Sequence, residues 1–151
     1  ERAMIPMTGP KGRVLDEPLD TNMGAVRLSM VRMGVPHAVV FVDDIGDVGV
    51  EALGRAVETH PAFPERTNVN FVEVLGEGEI AVCTWERGAG ATLACGTGVC
   101  ASAVAANLLG RTEKRVRVRL ELGTLEITLA KDGRVLMKGP AQYVFEGEYQ
   151  L

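Results

Sequence analysis

Hydrophobic spacing divides the chain into several strand-like runs and two helix-like ones. Residues 26–43 are dense in β-branched side chains and break at Gly34, Val35, Pro36 and His37, which predicts two strands joined at a tight bend. Between Asp47 and Thr59 the apolar positions Val50, Leu53 and Val57 recur at spacings of three and four. That period predicts an amphipathic helix, with Asp47 as its cap and an end before His60 and Pro61. Residues 68–75 and 79–85 are strand-like and flank Gly76, Glu77 and Gly78, a hairpin pattern. In residues 115–130, Val116, Val118, Leu120 and Leu122 alternate with polar neighbours. Gly123 and Thr124 then turn the chain into Leu125, Ile127 and Leu129, and Asp132 and Gly133 turn it again into Val135 and Met137. Residues 99–109, VCASAVAANLL, are small and apolar on nearly every face, so they predict a buried helix closed by Gly110. Many closely spaced strands and few helices make the expected fold α+β. We expect a curled antiparallel β-sheet or barrel wrapped around that central helix, in one domain over residues 1–151.

Composition narrows the function classes. With 151 residues and 46% hydrophobic character the chain can bury a core unaided, and a formal charge of −4 is mixed along it with no basic stretch. No nucleic-acid partner is expected. Apolar runs stop short of the roughly 18 residues a membrane span needs, and the N-terminus lacks a signal-peptide layout. The expectation is therefore a cytoplasmic protein with no membrane partner. Cys83, Cys95 and Cys100 fit neither a disulfide framework nor paired zinc motifs, so free thiols and no metal site are expected.

The most distinctive segment runs from Glu86 and Arg87 through several glycines to Cys95, Gly96, Thr97 and Gly98, immediately before the buried helix. Glycines admit a ligand close to the backbone. The first helical turn offers about four unpaired N–H groups and roughly half a positive charge, which is an anion site. The P-loop lysine is missing, and an amino-acid carboxylate would use the same donors. A helix N-terminus biases a thiol such as Cys95 toward thiolate, able to act as base or nucleophile. Cys83 and Cys100, in a strand and deeper in the helix, are expected to be packing residues.

These residues resemble the diaminopimelate epimerases. The family carries a motif of the form ERGAGETxACGTGxCA, and residues 85–102 here read WERGAGATLACGTGVCAS. FPERTNVNFVEV at 63–74, MGVPHAVVFVDD at 33–44 and KGPAQYVFEGEY at 138–149 are similar to further family blocks in the family's order, the last to its terminal strands. The likeness covers nearly the whole chain but only the second half of the family's protein, so the chain, which opens on Glu1, is expected to be a C-terminal half. The resemblance implies two pseudo-symmetric halves with a ligand cleft between them. It also implies conversion of LL- to meso-diaminopimelate without a cofactor, for lysine and peptidoglycan synthesis, by two cysteines on opposite faces of the α-carbon.

By the same carry-over, Cys95 is the second of those cysteines. The N–H groups of Gly96, Thr97 and Gly98, with the Thr97 hydroxyl, would hold the substrate carboxylate, and Glu86, Arg87 and Asn68 would contact substrate. For Glu86 and Arg87 the bland alternative is a structural ion pair, and for Asn68 a turn former. His37 would tune or relay a proton near the other cysteine, consistent with an ordinary imidazole pKa near 6.5. His60 reads as a helix-end cap. The implied partners are a small amino-acid substrate, the missing N-terminal half and a second copy in a homodimer. The chain departs from the family pattern at Val35, where an asparagine is usual, at Ala91, where a glutamate is usual, and in having no counterpart of the first cysteine. A racemase of another amino acid and a noncatalytic carboxylate-binding or assembly domain therefore stay open as alternatives.

Overall fold

The computed structural model describes residues 2–150. Nine strands form one sheet: β1 (Glu17–Thr21), β2 (Gly24–Met33), β3 (Val35–Val42), β4 (Asn68–Gly76), β5 (Glu79–Glu86), β6 (Gly90–Thr92), β7 (Arg115–Leu120), β8 (Gly123–Leu129) and β9 (Val135–Lys138). Two α-helices accompany it, α1 (Val50–Glu58) and α2 (Gly96–Leu108). The order across the sheet is β1-β2-β3-β4-β5-β7-β8-β9, with β6 hung on β5. α2 packs against β2, β3, β4, β5, β7, β8 and β9, so the sheet curls around it as the residue pattern implied.

Of the expected curled antiparallel sheet or barrel, the curled sheet is the form adopted, and its pairing is not wholly antiparallel. The sheet is open, with β1 and β9 as edges, and the pairs β3–β4 and β5–β7 are parallel. Parallel neighbours need a long crossover, and each of these two crossovers contains one of the helices, α1 in the first and α2 in the second. Strand-by-strand alternation could not reveal that, because hairpins and crossovers leave the same period within a strand.

The sheet has a core on each face. Ala38, Val40, Val69, Phe71 and Trp85 face α1 through Val57, whereas Val39, Val72, Ile80, Val82, Val116, Val118 and Ile127 close around Val99 and the alanines of α2. α2 comes close to the strands because its buried positions are small: Ala101, Ser102, Ala103, Ala105 and Ala106. The Ser102 hydroxyl is satisfied by donating to the Gly98 carbonyl at 2.8 Å. The helix ends as expected at Gly110, whose φ of 69° lets its N–H reach Asn107 and that of Arg111 reach Ala106.

Other local expectations shift. Asp47 does not cap α1. It lies in a short 3-10 turn (Ile45–Asp47) capped by Asp44, and the N-cap of α1 is Gly49, without a side-chain bond. His60, just past α1, accepts from the Ala62 N–H at 3.1 Å and so pins the turn after the helix. The β7–β8 turn falls at Glu121 and Leu122, not Gly123 and Thr124, which leaves Leu122 exposed. α2 starts three residues earlier than the apolar run suggested. Residues 139–150 form no strand here, and Tyr143, Val144, Phe145 and Tyr149 are exposed.

Candidate active site

Cys95 is the N-cap residue of α2 in extended conformation, and the first intrahelical bond runs from Val99 N–H to its carbonyl at 2.9 Å. The N–H groups of Gly96, Thr97 and Gly98 thus precede any intrahelical acceptor and form the donor cluster anticipated from the sequence. Cys95 is 8% exposed and lines an open cleft of about 570 Å³ together with Met33, Glu86, Thr97, Val135 and Met137. Gly98 is required by packing, since a Cβ there would overlap the Asn70 side-chain carbonyl.

His37 lies fully buried beneath this turn. Its Nε2 is 3.1 Å from Thr97 Oγ1, and Thr97 Oγ1 is 3.5 Å from Cys95 Sγ. Burial drives the imidazole pKa down to about 4, opposed in part by the negative charge of Glu86, so the ring is neutral at physiological pH. That corrects the expected value near 6.5, which holds for a solvated ring. Burial also raises the thiol pKa of Cys83 and of Cys100. Cys100, expected to be a packing residue, lines the same cleft as Cys95, and the charge of Cys95 raises its pKa further.

Asn68 is buried at the start of β4, and its Oδ1 accepts from the Arg87 N–H at 2.8 Å. Its visible work is thus to fix the backbone where β5 ends. Glu86 reaches the cleft and accepts from the Thr92 hydroxyl at 2.7 Å. The Arg87 guanidinium instead donates to the Glu65 carbonyl at 2.8 Å and is not among the cleft-lining groups. Glu86 and Arg87 therefore do not form the ion pair considered as their structural alternative. Val35 occupies the β2–β3 hairpin outside the cleft, and Ala91 lines a different cavity of about 630 Å³ with Arg55, Glu58 and Trp85.

Two groups of residues went unrecognised in the sequence. Asn70 and Thr84 are buried beside His37: Asn70 Nδ2 lies 3.2 Å from His37 Nδ1, and the Thr84 hydroxyl donates to Asn70 Oδ1 at 3.1 Å. Their signal was available, since Asn70 follows Asn68 by two and Thr84 precedes Glu86 by two, each pair sharing a strand face. Glu58 is also buried, accepting from Trp85 Nε1 at 2.7 Å and from the Gly88 N–H at 3.1 Å, and it pairs with Arg66 at 3.4 Å. It thereby holds the turn that leads from Glu86 toward Cys95. Among the described residues no three His, Cys, Asp or Glu side chains gather as a metal site, and no helix is long and apolar enough to cross a membrane.

The fold is similar to those of solved structures named as a racemase and an epimerase. A probable proline racemase from Agrobacterium radiobacter K84 matches with a TM-score of 0.57 over 76% of this chain and 41% of that chain, at 24% identity. A hydroxyproline epimerase from Agrobacterium vitis matches with 0.58 over 82% and 44%, at 22% identity. At these identities the likeness is one of fold. Within that class, the chain belongs to the diaminopimelate epimerase family, whose profile matches residues 29–144. The diaminopimelate epimerase of Pelotomaculum thermopropionicum is 53% identical over 99% of this chain and 53% of its own length, and that of Desulforudis audaxviator 55% identical over 99% and 54%. The chain thus spans about half the length of the curated relatives it matches.

Proposed function

We propose that this chain is the C-terminal half of a cofactor-independent diaminopimelate epimerase and that Cys95 is one of its two acid/bases. The observation that carries this is Cys95 at the α2 N-terminus, beside the unpaired N–H groups of Gly96, Thr97 and Gly98, in a chain of this family. The substrate carboxylate would sit on those donors. The Cys95 thiolate would take the α-proton as S–H while the electron pair moves into the carboxylate, where the same N–H groups stabilise it. A thiol on the opposite face would return a proton, inverting the centre. That second cysteine would come from the other half of the enzyme. Support for a missing partner surface comes from the exposed Tyr143, Val144, Phe145 and Tyr149, an unusual apolar display for a free-standing chain. Cytoplasmic location and a homodimer belong to the same proposal.

The test is α-proton exchange from LL-diaminopimelate in heavy water, with this chain alone, with the N-terminal half of a relative added, and with Cys95→Ala in the mixture. Exchange only in the mixture, lost in Cys95→Ala, is the expected result. A folded complex without exchange would overturn the substrate assignment, and exchange with another amino acid would then favour a related racemase. Alkylation supplies a second check. Cys95 should outpace Cys100 in the native chain and match it in denaturant, whereas equal native rates would favour a noncatalytic carboxylate-binding domain.

A further inference from the structure

A buried asparagine behind the site has its amide orientation dictated by its neighbours. The Ala38 carbonyl, which can only accept, lies 3.5 Å from Asn70 Nδ2, and the Thr84 hydroxyl donates to Oδ1 at 3.1 Å. The NH₂ group therefore faces His37 Nδ1, at 3.2 Å. An amide NH₂ only donates, so Nδ1 must present its lone pair, and a neutral ring then carries its proton on Nε2. That nitrogen is the one facing Thr97 Oγ1. With its oxygen already accepting, Thr97 has its single proton available for Cys95 Sγ.

We propose that Asn70 is a positioning residue that locks His37 as the Nε2–H tautomer, so that donors run in one direction from Thr84 through Asn70, His37 and Thr97 to the Cys95 sulfur. A donor aimed at sulfur favours thiolate over thiol. The opposite tautomer would place a lone pair at Thr97 and draw its proton away from Cys95. Glycine at position 98 is part of the arrangement, because it leaves the space that the Asn70 amide occupies. The hydrogen-bond chain stands on the geometry of this chain alone, and only its bearing on turnover rests on the epimerase assignment.

Long-range proton–nitrogen NMR on the chain with ¹⁵N-labelled histidine, with His60→Gln to assign the two rings, reads the tautomer directly. The expected spectrum has His37 protonated on Nε2 and bare on Nδ1. Asn70→Asp places a pure acceptor at Nδ1 and should move the proton there, while Asn70→Ala should leave a mixture. Cys95 alkylation should slow about fivefold in Asn70→Asp and in Thr97→Val, the effect of one hydrogen bond, with Cys83, which lies outside the cleft, unchanged as the control for folding. A wild-type His37 protonated on Nδ1 overturns the proposal whatever the variants do, and so does an Asn70→Asp chain that keeps Nε2–H. If no exchange is seen with any amino acid while the tautomer follows Asn70, the epimerase assignment fails and this inference survives.

Discussion

Replacing His37 by glutamine should flatten the acid side of the stability profile. In the unfolded chain the imidazole binds a proton near pH 6.5, and in the native chain only near pH 4. Between those values the unfolded state holds more protons, so stability falls as pH drops through this window and is unaffected above it. Integrating the two titrations, a fall from about pH 7.5 to about pH 5 removes about 2 kcal/mol from the wild-type chain. Glu79 and Glu126 do not confound the comparison. Their carboxyls are held below the usual range by hydrogen bonds from Arg119 and Arg115, so their contribution is present above about 4.5 and lost only below it. Urea denaturation at the two pH values measures the difference, which is insensitive to whatever His37→Gln costs at neutral pH. The wild type should lose about 2 kcal/mol more than the variant. Equal losses would refute the buried neutral imidazole, and with it the cause assigned to its shift.

Two further substitutions test the packing that supports the site. Gly54→Ala in α1 should destabilise the chain by about 1–2 kcal/mol in urea denaturation, although alanine is the better helix former by about 1 kcal/mol. The added Cβ would stand 2.6 Å from Trp85 Cγ, and unchanged or raised stability would mean that Trp85 can yield. Glu58→Ala should cost about 2–3 kcal/mol and alter Trp85 fluorescence, because the indole N–H and the Gly88 N–H lose their shared acceptor in a buried setting. Glu58→Gln, which keeps one acceptor oxygen, should recover much of that loss, and equal effects of the two substitutions would show that charge rather than hydrogen bonding matters.

Local chemistry was legible in the sequence to different depths. The placement of Cys95 at a helix N-terminus followed from glycines preceding an apolar run, and the structure caps α2 with that residue. The Gly110 ending was legible for the same reason, since it depends on one residue's backbone freedom. Arg87 was less so: its position beside the glycines suggested the site, but it lies in the turn after β5, where its guanidinium reaches the Glu65 carbonyl. Parallel pairing, the tautomer-setting neighbours of His37 and the buried Glu58 all depend on contacts between residues roughly 30 apart in sequence. Periodicity within one element carries no record of them.

What links fold and site is the way three neighbouring strands change character along their length on the α2 face. His37 gives way to Val39 in β3, Asn68 and Asn70 to Val72 in β4, and Glu86 and Thr84 to Val82 in β5. Register brings the polar ends together, because His37 pairs with Asn68 and Asn70 with Thr84. α2 follows the same gradient, with Cys95, Thr97 and Gly98 at the polar end and Val99 and the buried alanines beyond. On the other face the same registers bury Val69, Phe71 and Trp85 beneath α1. A slip of β4 by one residue would exchange its faces, sending Asn68 and Asn70 into the α1 core and Phe71 toward α2. The packing of Phe71 thus selects the register that sets Asn70 against His37, so substitutions that loosen the α1 core should disturb the Cys95 turn without touching it.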